Sequence, residues 1–155
     1  MQGWYNKIMD AFSLFSWKKN ELVFVGVVLL VILVVSQIQL RVGQMKTRDA
    51  QRKADVELVG RALNKFYFDH QELPAAMNGK IVSCGDILDL ACEWGEGWIR
   101  DQKGNVYLNK LPKDPLADAG RKYIYEVDEK RQKYKIYVTL ENCRGDVQCK
   151  WYVQN

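Results

Sequence analysis

Residues 22–40 have the sequence LVFVGVVLLVILVVSQIQL, in which one serine and two glutamines are the only polar residues. As a helix, these nineteen residues rise about 28 Å, close to the roughly 30 Å hydrocarbon thickness of a bilayer. No other stretch of the chain is as long and as apolar. The sequence therefore predicts one membrane crossing. The alternative is a buried helix of a soluble protein, which would need a larger body around it than the 115 residues that follow.

The length of this run, and the sequence that follows it, favour a retained anchor over a cleaved signal. A cleaved secretory signal also has basic residues before an apolar run, but that run is usually about 7 to 15 residues long. The run here is longer, and no small-x-small cleavage site follows it. Within residues 1–19, apolar side chains recur at intervals of one, three or four, which predicts an amphipathic segment lying in the membrane interface. They are Trp4, Tyr5, Ile8, Met9, Phe12 and Phe15.

Composition and charge limit the remaining functions. The 155 residues are 48% hydrophobic and 27% charged, which is too apolar for a disordered chain and enough for one folded domain with appendages. The net charge is +4, but residues 1–53 carry eight bases and three acids, and residues 54–155 carry fifteen bases and sixteen acids. The basic excess therefore lies beside the predicted membrane segment. Because the C-terminal body is near neutral, no nucleic-acid partner is expected.

Two features predict opposite orientations of the anchor. Five basic residues follow the apolar run within residues 41–53 and three precede it, and positive-inside counting then places the C-terminal body in the cytoplasm. The chain also has four cysteines in loop-like sequence, which suits an oxidising compartment outside the cytoplasm.

The cysteines predict two local disulfides. Cys84 and Cys92 are eight residues apart, and Cys143 and Cys149 are six apart. Four cysteines allow three pairings, of which these two local pairs are favoured. A zinc site is the competing use, although neither pair has the two-to-four-residue gap of a zinc knuckle.

The helix is predicted to continue well beyond the membrane. No proline occurs before Pro74, and helix-forming residues continue through residues 48–55. Farther on, four apolar residues recur at spacings of three, four and three, so they share one helix face. They are Val56, Val59, Leu63 and Phe66. We expect a single helix over residues 20–70. Residues 20–42 are its transmembrane part, and residues 43–74 comprise its soluble half and the exit from the helix.

Residues 75–155 are predicted to be a disulfide-stapled loop region followed by a small antiparallel sheet. Asn78-Gly79 marks a turn. Residues 123–127 and 133–140 alternate as paired strands with one buried face do, and residues 149–153 add a third strand. The apolar helix stripe then covers this sheet. The predicted fold class is α+β, a long N-terminal transmembrane helix packed on a small antiparallel sheet.

Two parts of the chain resemble the type IV pilins and the major pseudopilins of type II secretion systems. The first is RDAQRKAD at residues 48–55 followed by LNKFYFDHQELP at residues 63–74, which looks like the helix of that family and its exit. The second is LPKDP at residues 111–115, which is similar to a phrase that often precedes the pseudopilin sheet. Together with the anchor, the resemblance covers roughly residues 20 to 140.

The resemblance implies a pilin-like fold and a structural role. The chain would be held by a single span in the inner or cytoplasmic membrane, with its C-terminal domain extracytoplasmic, and would self-associate into an extracellular or secretion-system helical filament. The alternative is a single-pass, membrane-anchored adhesion or scaffold protein outside the cytoplasm that does not polymerise.

The family also implies roles for residues near the membrane. Family members are usually cut after a glycine that precedes Phe-Thr-Leu-Ile-Glu, a phrase that this chain lacks. Alignment backwards from Pro74 places Glu21 at that glutamate, Trp17 at the mature N-terminus and Ser16 at the glycine. If the chain is processed, prepilin peptidase and the assembly machinery are partners, and Glu21 pairs with the N-terminal amine of a neighbouring subunit. Without cleavage, Glu21 is an interfacial residue beside Lys18 and Lys19.

No residue pattern predicts catalysis, and neither an enzyme activity nor a cofactor is expected. His70 is the only histidine, and its position at the predicted helix end indicates a solvated cap. Asp114 and Asp118 are weak calcium candidates, because some pseudopilins bind calcium near their sheet. They lack the dense oxygen-ligand pattern of a calcium loop, so we interpret them as solvated turn residues.

Three tryptophans form either an exposed patch or a cover for a thin core. They are Trp94, Trp98 and Trp151.

Overall fold

The computed structural model describes residues 19–82, 91–142 and 149–155. These residues form one long N-terminal helix and small antiparallel sheets, an α+β layout. The helix is α1 (Lys19–His70), and the strands are β1 (Ala76–Met77), β2 (Lys80–Ile81), β3 (Ile99–Arg100), β4 (Val106–Leu108), β5 (Ile124–Val127), β6 (Tyr134–Thr139) and β7 (Lys150–Gln154), with a 3-10 turn at Ala117–Ala119. The chain divides between Val42 and Gly43 into two compact units, called here the N-terminal and the C-terminal unit.

In the N-terminal unit, the described residues are all helical. Helical hydrogen bonding satisfies each peptide group within the segment, and this is the form an apolar run takes where no water is available. The hydroxyl of Ser36 also finds a partner within the helix, because its Oγ donates to the carbonyl oxygen of Ile32 at 2.7 Å. The predicted interfacial segment before Lys19 lies outside the described residues.

In the C-terminal unit, α1 buries the predicted stripe. Val56, Val59 and Leu63 are at most 1% exposed, and Phe66 is 9% exposed. The helix ends at His70 because Gln71 adopts a left-handed conformation, with φ of 57°, and its N–H donates to the carbonyl oxygen of Tyr67 at 2.7 Å. The prediction that the helix ends at residue 70 is confirmed.

The largest sheet has the strand order β5-β6-β7, with antiparallel neighbours. Its register pairs Tyr125 with Ile136 and Ile136 with Val153. The predicted three-strand meander is confirmed, with boundaries that differ by one residue. One face of the sheet joins the helix stripe in a single apolar core. Its buried members are Tyr123, Tyr125, Tyr134, Ile136 and Val138, and Trp151 and Val153 pack against them.

Two short hairpins complete the C-terminal unit. Asn78 and Gly79 connect β1 to β2, both with positive φ (53° and 76°), so the predicted turn is confirmed. The carbonyl oxygen of Gly79 accepts the backbone N–H of Tyr125 at 2.9 Å, which places this hairpin beside β5. The second hairpin pairs β3 with β4 and has a register shift between Ile99 and Arg100.

Candidate functional site

The first candidate site is the apolar surface of α1 in the N-terminal unit. Its large apolar side chains between Leu22 and Leu40 are 40% to 70% exposed, except the partly buried Val25. An 18-residue window of this helix has a mean hydropathy of 2.7, and none of that window is buried. A helix of this length and composition is compatible with single-pass membrane anchoring.

Glu21 is exposed one residue before this surface, in the first turn of the described helix. Between residues 20 and 40 it is the only charged residue. Ser16 and Trp17, the predicted processing site, lie outside the described residues. Cleavage, and with it the pairing of Glu21 with a neighbouring amine, stays a prediction.

The second candidate site is a group of five charged side chains in the C-terminal unit, here called the ion-pair cluster. It consists of Arg48, Asp49, Arg52, Asp114 and Glu141. Three of these residues lie on α1, one in the loop before the 3-10 turn, and one just after β6. The cluster thus joins segments that are far apart in the sequence.

Arg52 lies at the centre of the cluster, and its side chain is fully buried. Its Nε and Nη2 donate to the two carboxylate oxygens of Asp114 at 2.8 and 3.1 Å. Its Nη1 donates to Asp49 at 2.8 Å and to Glu141 at 2.6 Å. One guanidinium is therefore surrounded by three carboxylates, a strong and directional arrangement.

The carboxylates of the cluster also bind other donors. Arg48 donates from Nε and Nη2 to both oxygens of Glu141 at 2.8 and 2.6 Å. Asp49 accepts the backbone N–H groups of Glu141 and Asn142 at 2.8 to 3.1 Å, so it caps the end of β6. These buried charges are therefore partnered on several sides, which offsets the cost of their burial.

The pKa shifts agree with this geometry. Hydrogen bonds from Arg48 lower the pKa of Glu141 to about 2, burial opposes that shift, and Arg52 adds to it. Burial alone would lower the pKa of Arg52, but its hydrogen bonds to Asp114, Glu141 and Asp49 outweigh burial and raise it. Next to the cluster, burial raises the pKa of Asp55, and the Tyr123 hydroxyl donates to that carboxylate at 2.7 Å.

The two calcium candidates have separate cationic partners. Asp114 binds Arg52, and the exposed Asp118 accepts a hydrogen bond from Lys113 Nζ at 3.0 Å. The prediction that Asp114 is a solvated turn residue is wrong, because the residue is 3% exposed and fixed by Arg52 and by the backbone N–H of Leu116. Across residues 19–82, 91–142 and 149–155, no group of three His, Cys, Asp or Glu side chains is placed to hold a metal ion.

Sequence reasoning missed the ion-pair cluster, although one signal was present. The buried positions 56, 59, 63 and 66 extend backwards, at the same spacing, to positions 52 and 49. Arg52 and Asp49 occupy these positions, so charged residues on a buried stripe indicated a buried ion pair. Their partners Asp114 and Glu141 have no comparable local signal.

His70 differs from the predicted solvated cap. Its side chain is 29% exposed and its ring packs on Phe66, with centroids 4.4 Å apart. Its Nε2 lies 3.2 Å from the Tyr107 hydroxyl and 3.3 Å from Asp101. Burial and the neighbouring Asp69, which accepts the Tyr107 hydroxyl at 2.8 Å, raise the pKa of Tyr107 to about 12. This group attaches the end of α1 to the β3–β4 hairpin.

The three tryptophans do not share one role. The Trp94 indole N–H donates to the carbonyl oxygen of Gly79 at 3.3 Å, and its ring packs edge-on against Tyr123. Trp151 packs against the core beneath the ammonium of Lys53. These two cover the core, whereas Trp98 is 41% exposed.

Two of the four cysteines, Cys92 and Cys149, belong to the described residues, and neither is a free thiol. Cys84 and Cys143 lie outside the described residues. The two local pairings therefore stay a prediction.

No family model, curated protein or solved structure matches this chain.

Proposed function

We propose that the chain is a pilin-like or pseudopilin-like structural subunit. In this proposal, residues 22–40 hold it in the inner or cytoplasmic membrane, the C-terminal unit lies outside the cytoplasm, and copies assemble into an extracellular or secretion-system helical filament. The observation that carries the proposal is that one helix, α1, has two kinds of surface. It is apolar and exposed before Gly43, and it buries a stripe against an antiparallel sheet afterwards.

The exposed apolar surface needs a non-aqueous environment. Burial of apolar surface contributes about 25 cal/mol per Å², so a surface of nineteen mostly apolar residues is strongly unfavourable in water. Lipid provides that environment in the membrane, and the same helices of neighbouring copies provide it in a filament. Contacts between unlike surfaces of identical copies produce an open helical filament when the rotation from one copy to the next does not close a ring.

The ion-pair cluster supports a role in which the C-terminal unit is held under tension. Arg48 and Arg52 follow closely after Gly43, where this unit begins, and they bind carboxylates from two distant segments. A subunit that is pulled by its helix needs ion pairs of this kind between the helix and the rest of the unit, because the helix contributes only part of the core. The cluster therefore fits a subunit whose helix and sheet move together.

A second candidate is a single-pass adhesion or scaffold protein that stays in the membrane. The absent cleavage phrase favours it, and so does the basic pair Lys18-Lys19, which only Asn20 separates from Glu21. Lysine is not expected in a segment that enters the apolar core of a filament. In this case α1 remains a static anchor.

Electron microscopy of sheared cell-surface fractions, with antibody against the C-terminal unit, tests the filament directly. We expect labelled fibres from cells that make the wild-type chain. Glu21→Gln should reduce their number strongly, whereas Glu129→Gln, a matched change at an exposed glutamate of the C-terminal unit, should leave it unchanged. Absence of labelled fibres from the wild type, with the protein present in the membrane, would exclude a filament subunit.

The intact mass of the membrane-extracted protein tests processing separately. Loss of residues 1–16 is the expected result for a processed subunit, with prepilin peptidase as the partner that removes them. Retention of Met1 together with the absence of fibres would establish the static anchor instead.

A further inference from the structure

One side of α1 in the N-terminal unit carries both a glycine and a glutamine. Gly26 and Gln37 are eleven residues apart, which is about three turns at 3.6 residues per turn, so they lie on the same side of the helix. Leu30 and Leu33 lie between them on that side and are 61% and 64% exposed. Gly26 and Gln37 are exposed as well. We call these four residues the glycine–glutamine face.

Gln37 has an amide without a hydrogen-bond partner among the described residues. The hydroxyl of the neighbouring Ser36 is satisfied, because it donates to the carbonyl oxygen of Ile32. Gln37 lies about 6 Å before Arg41, the first charged residue after the apolar run. Helical side chains point back towards the N-terminus, so the amide of Gln37 lies deeper in the run than its Cα. An unpaired amide is unfavourable in hydrocarbon, and glutamines of membrane helices form hydrogen bonds to other helices.

Gly26 has no packing reason within the described part of the chain. A Cβ at this position would meet nothing within 4 Å, whereas a Cβ at Gly60 would lie 3.0 Å from atoms of Tyr134 and Val153. Glycine is one of the least favourable residues in a helix interior. A position without a side chain does let the backbone of a second helix approach closely. Gly26 therefore points, independently of Gln37, to a helix packed on the same face.

A second copy of the chain is the occupant that matches this face. Identical chains have the same charges beside the apolar run, so they cross a membrane in the same direction, and a parallel copy brings the same residues to the same depth. An amide has a partial negative oxygen and a partial positive NH₂ group, so its charge distribution complements that of an identical amide. No charged residue lies within residues 22–40, and like charges therefore do not oppose the contact there.

We propose that two copies associate in the membrane as a parallel pair through the glycine–glutamine face. Each Gln37 amide donates to the amide oxygen of the other copy, Leu30 and Leu33 pack between the helices, and the backbones approach at Gly26. The inference rests on the membrane anchoring in the proposed function and does not depend on filament formation. A chain that pairs and makes no fibres would therefore exclude the filament subunit and retain the pair.

Sedimentation equilibrium of the full chain in neutrally buoyant detergent micelles measures the association. We expect a monomer–dimer equilibrium for the wild type. Gln37→Leu should raise the dissociation constant about tenfold, because two interhelical hydrogen bonds are lost. Gln39→Leu is the matched control and should leave it unchanged, because Gln39 is also exposed but lies on the opposite side of the helix and nearer to the headgroups. Gly26→Leu should weaken the pair as well, because its side chain keeps the backbones apart.

Oxidation of single introduced thiols tests the face and the parallel direction. Leu33→Cys on the glycine–glutamine face should form a disulfide between two copies when copper phenanthroline is added to vesicles that contain the full chain. Val35→Cys, two residues farther on and on the opposite side of the helix, should form it much more slowly. A parallel pair is required for the first result, because only then do the two introduced thiols lie at the same depth.

Three results would overturn the proposal. The first is an equal dissociation constant for the Gln37→Leu and Gln39→Leu variants. The second is cross-linking of Val35→Cys as fast as that of Leu33→Cys, because a different face would then form the contact. The third is a wild-type chain that stays monomeric at every concentration, because lipid or another membrane protein would then cover the face.

Discussion

The two parts of α1 have the same backbone conformation and opposite surroundings. Between Leu22 and Leu40 the large apolar side chains other than Val25 are exposed, and after Gly43 the apolar stripe is at most 9% exposed. A long helix therefore does not define one structural environment. Burial in the C-terminal unit comes from the sheet, which offers a complementary face only to positions spaced by three and four. The substitutions below compare equivalent changes in the two parts.

The largest effect is expected at Arg52. Arg52→Ala leaves three carboxylates of the ion-pair cluster without their central cation, and loss of one partner from a buried ion pair costs about 3 to 5 kcal/mol. Chemical denaturation of the full chain in micelles, followed by near-ultraviolet circular dichroism, measures this loss. Arg41→Ala, at an exposed arginine in the N-terminal unit, should change the unfolding free energy by less than about 0.5 kcal/mol. Equal effects of the two changes would contradict the burial of the cluster.

A leucine pair compares apolar packing in the two parts. Leu63 is fully buried and Leu30 is 61% exposed. Leu63→Ala should destabilise the C-terminal unit by about 2 to 5 kcal/mol, because it removes apolar contacts and leaves a cavity. Leu30→Ala should leave the stability of that unit unchanged in the same denaturation experiment. A comparable loss from Leu30→Ala would show that the apolar surface contributes to the folded core.

Reduction of the cysteines should affect only the C-terminal unit, since all four lie there in the sequence. In the chain-entropy estimate, each short disulfide loop contributes about 2 to 3 kcal/mol. Dithiothreitol should therefore lower the melting temperature of the C-terminal unit by several degrees and leave the helical signal of residues 22–40 unchanged. An unchanged melt would argue against both predicted disulfides.

A glycine pair gives a smaller difference. A Cβ at Gly60 would lie 3.0 Å from the Tyr134 hydroxyl oxygen and 3.0 Å from Val153 Cγ1, whereas a Cβ at Gly26 would meet nothing within 4 Å. Overpacking costs about 1 to 3 kcal/mol, which the better helix propensity of alanine reduces by roughly 1 kcal/mol. Gly60→Ala should thus lower the thermal stability modestly, and Gly26→Ala should not lower it. Stabilisation by Gly60→Ala would mean that Tyr134 and Val153 move apart freely.

The smallest effect is expected from pH, because the pH dependence of stability that Glu141 contributes is negligible near neutral pH. The pKa of Glu141 is lowered from its ordinary 4.5 to about 2, so its contribution to stability is complete above pH 4.5 and is lost as the pH falls towards 2. Glu141→Gln should remove this part of the acid sensitivity at the cost of lower stability at pH 7. Identical acid-unfolding profiles for variant and wild type would contradict the assignment to Glu141.

Much of the fold could be predicted from local patterns. The stripe from Val56 to Phe66, the alternation around Ile136 and the Asn78-Gly79 turn each express their structure within a few residues of sequence. Periodicity and turn chemistry act over such short distances, which is why the helix end and the meander were predicted to within a residue.

The ion-pair cluster could not be predicted in the same way. Arg52 and Asp114 are 62 residues apart, and Arg52 and Glu141 are 89 apart. Only the folded chain brings them together, so a local pattern can indicate that Arg52 is buried but not which carboxylates it meets. The same reason explains why the surroundings of His70 were not predicted, because its partners Asp101 and Tyr107 come from the β3–β4 hairpin.

The cluster also has a mechanical consequence. A helix with a purely apolar stripe can slide along a sheet by one turn, about 5.4 Å, and recover similar packing. Such a slide would separate Arg52 from Asp114 and Glu141, leaving bare charges in a dry interior. The ion pairs therefore oppose gradual slippage of the helix under tension along its axis. The C-terminal unit should yield abruptly, as one cooperative rupture at high force.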